Sequence, residues 1–139
     1  MAVKIQKVDV WSAEIRDEIG GLAAVLSPLA AAGADLAFVV ARRQAHKPGT
    51  GIVFLGGLKG AKQTAAAQKV GLSKSGDISA LLVEATNKPG LADKLVEKLA
   101  SARINLRGLS ASVTGTKCVI VFAFDSAADR DNAAKVLRK

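Results

Sequence analysis

Hydrophobic and polar positions fall into the same succession twice along this chain. An extended apolar run, residues 8–15, meets a glycine-bearing turn at Ile19-Gly20-Gly21, and residues 78–85 meet a second such turn at Pro89-Gly90. A helix is predicted after each. In the second, Leu91, Leu95, Leu99 and Ala102 recur at three- and four-residue spacing, with Asp93, Lys94, Glu97 and Lys98 on the other side. That spacing marks an amphipathic helix lying on one face of a sheet. Leu22, Val25, Leu26 and Leu29 repeat it in the first, where Pro28 removes an internal hydrogen bond and is expected to kink the helix or shift its start. Second strands open at Asp35 and Asn105, third strands are expected at 52–55 and 118–124, and last helices at 60–69 and 127–137.

The two successions can be superposed. A shift of 70 residues pairs Glu14 with Glu84, Asp17 with Asn87, Gly20 with Gly90, Leu29 with Leu99 and Asp35 with Asn105. From the third strand on, a shift of 66 pairs Thr50 with Thr116, Val53 with Val119 and Val70 with Val136, which places a four-residue longer loop in the first copy around residues 45–51. The order of these matches carries more weight than their identities.

The third strands are continuously apolar, whereas residues 105–113 carry Asn105, Arg107, Ser110 and Ser112. Third strands are therefore expected in the middle of a sheet and second strands at its edge. The order β-α-β-β-α with a final strand is that of the ferredoxin-like split βαβ unit. The fold class expected is α+β, with two βαββαβ units in tandem, residues 1–73 and 74–139, each an antiparallel sheet with helices on one face. The second copy stops at its last helix, and residues 3–7 alternate apolar with polar; they are expected to cross over and close the second sheet, while residues 70–74 close the first. The units are expected to join through their second-strand edges. Phe54, Val53, Val119 and Val121 cannot all face helices, so a homodimer is expected to cover the remaining apolar sheet surface.

Composition narrows the function classes. Half of the 139 residues are hydrophobic, yet no apolar stretch reaches the length of a membrane span and the first residues lack a secretory core, so a cytoplasmic location and no membrane partner are expected. Twenty Lys and Arg against 12 Asp and Glu give a formal charge of +8, which raises the question of a polyanion. The cations are scattered apart from Arg42, Arg43, His46 and Lys47, and aromatics amount to 4%, so nucleic acid is disfavoured for want of stacking platforms. One cysteine, Cys118, and one histidine, His46, leave no disulfide, metal cage or catalytic triad. Carboxylates show no acid/base spacing, and the strand-to-helix turn at residues 56–62 lacks the phosphate-loop Gly-Lys-Ser/Thr, so neither enzyme activity nor a cofactor is expected.

The stretch Asn87-Lys88-Pro89-Gly90-Leu91, followed by Leu95, Leu99, Ala100, Ala102 and Ile104-Asn105-Leu106, resembles the signature of ACT domains, and the likeness extends as a tandem pair over nearly the whole chain. The first copy keeps Asp17, Gly20, Gly33 and Asp35 but has Ile19 where that family prefers proline; the second has Arg103 where it prefers glycine. The resemblance implies a freestanding regulatory module that binds an amino acid or related metabolite between units and acts on its own assembly or on a partner enzyme or regulator. It points to Asn87, Pro89, Gly90, Leu91 and Asn105 in the second copy, and to Asp17, Gly20, Gly21 and Asp35 in the first. A ligand carboxylate would suit the Gly90 and Leu91 amides at a helix start. A structural or protein-interaction domain with no ligand is the alternative reading.

Overall fold

A computed structural model describes residues 2–139. The chain runs β1 (Val3–Arg16), α1 (Ala23–Ala31), β2 (Phe38–Arg43), β3 (Thr50–Gly56), α2 (Gly60–Lys69), β4 (Ser73–Thr86), α3 (Leu91–Ser101), β5 (Gly108–Thr114), β6 (Lys117–Phe124) and α4 (Ala127–Leu137). It divides into two compact units. One is Asp9–Ser75; the other joins the stretch ending at Val8 to Gly76–Lys139. Both long strands, β1 and β4, thus change unit along their length.

In the first unit, β3 lies between β2 and β1, and the start of β4 lies on β1's other side. Pairing is antiparallel, with Trp11 opposite Leu55, Ala13 opposite Val53 and Ile15 opposite Gly51. These alternate residues point one way, and Trp11, Ala13, Val53 and Leu55 close a core with Val25 and Leu29 of α1, Ala67 of α2 and Leu72. The intervening Ile52 and Phe54 face away from the helices and are half-buried. Lys74 meets Asp9 at 3.1 Å, and the Ser12 and Ser75 hydroxyls are 3.2 Å apart. Helix α1 accommodates Pro28 as its sixth residue.

The second unit repeats the plan. Strand β6 lies between β5 and β4, and the first residues of β1 occupy the fourth position beside β4. Val3 and Ile5 pack against a core of Leu81, Val83, Leu91, Leu95, Leu99, Ile120, Phe122 and Leu137, while Lys7 reaches Asp131 at 2.8 Å. Helix α3 buries Leu91, Leu95 and Leu99, the predicted stripe. Helix α4 begins at Ser126, whose hydroxyl accepts from the Asp129 amide at 3.1 Å. Each unit is therefore a ferredoxin-like βαββαβ fold with its helices on one face, and third strands are central.

Two expectations change. Sheet pairing sets Val53 opposite Ala13 and Ile120 opposite Val83, so the third strands superpose with a shift of 67, not 66. A one-residue slip exchanges the two faces of a strand: Val53 is fully buried and so is Ile120, whereas Val119 lies on the open face. Strand β2 bonds only to β3, and β5 only to β6, so among the described residues the second strands keep a free edge and do not join the units.

Candidate functional site

The bends after the first strands are built alike. Gly20 and Gly90 adopt left-handed φ values of 83° and 80°, a region open to glycine at little cost. Each bend's carbonyl starts the helix that follows: Ala24 N–H donates to Gly20 at 3.0 Å and Lys94 N–H to Gly90 at 3.0 Å. Asp17 N–H donates to the Gly49 carbonyl at 3.1 Å, and its counterpart Asn87 N–H to Thr116 at 2.8 Å, so both bends are tied to the loop before the third strand. Pro89 fixes the approach in the second unit; Ile19 holds that place in the first and is fully exposed.

The next position differs. Gly21 must lack a side chain, because a Cβ there would lie 2.2 Å from the Arg16 carbonyl oxygen. Leu91 buries its side chain in the core, and its amide donates to the Lys88 carbonyl at 3.1 Å. That amide is already engaged in the turn and is not an idle donor; Gly21 N–H donates in the same way to Glu18 at 3.0 Å.

An open groove of about 200 Å³ lies beside the first bend. Ile15, Leu22 and Ala41 give it apolar walls, Gly51 leaves it room, and Asp17 and Arg43 stand at its mouth with Arg16, Glu18 and Arg42 around them. The Arg43 guanidinium Nε donates to the Asp17 carboxylate, and Arg43 is largely exposed while Asp17 is about one third exposed. At the same end of the sheet, Lys47 grips Glu14 at 2.9 and 3.0 Å and Gln44 Nε2 donates to it at 3.3 Å. These donors, Lys47 first, hold the Glu14 carboxyl below the usual carboxylate range.

Asp35 and Asn105 stand elsewhere. Each follows the first helix of its unit and precedes the second strand, whose start pairs with the far end of the third: Phe38 with Gly56, Gly108 with Ala123. Both are exposed. Within a unit they lie at the opposite end of the sheet from Gly20 or Gly90, about 20 Å away at roughly 3.3 Å per strand residue. Of the first-unit candidates Asp17 lines the groove, while Gly20 and Gly21 form the bend and are not among its lining; Asn87, Pro89 and Gly90 share the second bend, and within its own unit neither Asp35 nor Asn105 is brought to the bend. Of the groove's lining only Asp17 was a predicted site residue; Ile15, Leu22, Ala41 and Arg43 were not, and for Arg43 its place in the one local basic group was the available signal. Among the described residues no cluster could hold a metal ion, and no helix is long and apolar enough to cross a membrane.

No family model matches the sequence, and no curated protein matches it. Solved structures do. A protein from Bacteroides thetaiotaomicron superposes with a TM-score of 0.75 at 16% identity, over 97% of this chain and 88% of that one. The ligand-free regulatory subunit of aspartate kinase from Thermus thermophilus gives 0.69 at 14% identity, over 97% and 93%. The corresponding subunit from Thermus flavus gives 0.61 at 15%, over 98% and 93%. The likeness is one of fold. It runs through both units and covers nearly the whole of each similar chain.

Proposed function

We propose that this chain is a non-catalytic regulatory module that binds an amino acid or a similar small metabolite, with the groove beside Gly20 as its receptor. The observation that carries this reading is the opposed pair at the groove's mouth. A ligand bearing a carboxylate and an ammonium a few ångströms apart can satisfy Arg43 and Asp17 at once, exchanging one exposed ion pair for two, while a small side chain rests on Ile15, Leu22 and Ala41. Exposed ion pairs contribute only about 0–1 kcal/mol, so opening the existing one costs little. The regulatory assignment draws support from the aspartate kinase subunits of like fold. Its output is a change in the chain's own assembly, or in a partner enzyme or regulator.

A thermal-shift screen against the twenty amino acids tests it. A specific ligand at a hundred times its dissociation constant adds about 2.7 kcal/mol of stability. Arg43→Gln is expected to abolish that gain and leave the unliganded melt within about 1 kcal/mol, because Arg43 is a surface residue. No response to any of the twenty would favour the ligand-free structural reading. Gly90→Val is a poor probe: at a φ of 80° a branched side chain strains the bend whether or not anything binds.

A further inference from the structure

The two bends are alike in backbone and unlike in the side chains around them. Sheet pairing aligns the units position by position. Ile15, Gly51 and Arg43 stand in one row across β1, β3 and β2, and Ala85, Cys118 and Val113 stand in the same row across β4, β6 and β5. At the bends themselves Asn87 takes the place of Asp17. Both members of the charged pair at the groove's mouth are thus replaced in the second unit. Val113 offers a carboxylate no hydrogen-bond donor, and Asn87 brings no charge to an ammonium.

Gly51 is the least expected residue of its row. It lies in a strand paired on both sides, and its backbone is not left-handed, so no turn demands glycine there. Glycine within a strand forfeits side-chain packing and often marks the close approach of a ligand or of another backbone. The missing Cβ would lie 3.3 Å from Ile15 Cγ1, on the groove's apolar wall, and 3.0 Å from the Arg42 carbonyl oxygen. That is tight for a methyl group and too tight for a larger one without displacing Ile15. In the second unit the smaller Ala85 stands where Ile15 does, and Cys118 is 4% exposed within the core. A thiol there occupies the place that the first unit leaves to its groove.

We infer that Gly51 is the residue that opens the receptor, that Cys118 closes its counterpart, and that each chain therefore holds one amino-acid site, in the first unit. This rests on the receptor reading and adds to it the number of sites and the position that decides where a site forms. The second unit keeps the left-handed glycine because the bend starts its helix, and it has given up both the charged pair and the room beside it.

Thiol labelling of the full chain with an aromatic disulfide compares the two positions without any ligand. Wild type has one cysteine, so its rate reports Cys118 alone. That thiol is expected to react at least about 100-fold more slowly than free cysteine, and the thiol of Gly51→Cys, in a Cys118→Ala background, within about tenfold of it. Circular dichroism checks that each variant is folded. Fast labelling of Cys118, or an inert thiol in folded Gly51→Cys, would overturn the inference. Gly51→Ala supplies a second readout that needs the smallest adjustment of the fold. With an equimolar mixture of the twenty L-amino acids as probe, it is expected to weaken the thermal response at least about tenfold in concentration, and Arg43→Gln to remove the response entirely. A Gly51→Ala response equal to wild type, or half of the response surviving Arg43→Gln, would likewise overturn it. Each of these outcomes strikes the inference alone, whereas a wild-type chain indifferent to the mixture would remove the receptor reading and the inference together.

Discussion

Arg103 and Gly33 occupy equivalent positions past the ends of α3 and α1, and both are left-handed, with φ values of 61° and 80°. The closing bonds are the same: Arg103 N–H donates to Ala100 and Ile104 N–H to Leu99, as Gly33 N–H does to Ala30 and Ala34 N–H to Leu29. A side chain in this conformation costs about 1 kcal/mol that glycine does not. Arg103→Gly is therefore expected to stabilise the protein by roughly 1 kcal/mol in urea denaturation, and an unchanged midpoint would show that Arg103 recovers the cost elsewhere. Glu14 offers a second residue-level test. Its folded value is depressed by Lys47 and Gln44, so the stability it lends is full above the unfolded chain's value and is lost as pH falls through the folded one. Wild type and Glu14→Gln should accordingly differ in melting temperature at neutral pH and converge between about pH 5 and pH 3.

At the scale of elements, the helices were the most legible part. Gly60–Lys69 and Ala127–Leu137 begin and end where the sequence places them, and in α3 a period near 3.6 with a clear polar face left one solution, the burial of Leu91, Leu95 and Leu99. The third strands were less legible. Both faces of β6 are apolar, with Val119 and Val121 on one and Ile120 and Phe122 on the other, so no polar alternation fixes the register and the Val53–Val119 identity misled it by one residue. The first part of β1 was readable from its alternation. Val3 and Ile5 do pack on the second unit's core, so Ile5→Ala is expected to cost about 1–2 kcal/mol of that unit's stability, measured by hydrogen exchange in α3 and α4. Exchange rates equal to those of wild type would show that the segment is dispensable to that core.

For the whole molecule, the candidate site shows where sequence order stops informing. Asp17 and Asp35 flank the same helix, and closeness along the chain makes them look like partners. A helix between parallel strands carries the chain back to the sheet's starting end, so its two flanking loops lie apart in each unit. The groove instead pairs Asp17 with Arg43, brought together by two parallel strands, one on each side of β3, that end at the same rim. Interleaving of the two units also bears on how the polypeptide is made. On the ribosome the segment ending at Val8 emerges well before its neighbours, which begin only at Gly76, so at about 5–20 residues per second it waits several seconds unpaired. Lys4, Gln6 and Lys7, interspersed with Val3 and Ile5, keep that waiting peptide polar enough to resist sticking to other nascent chains.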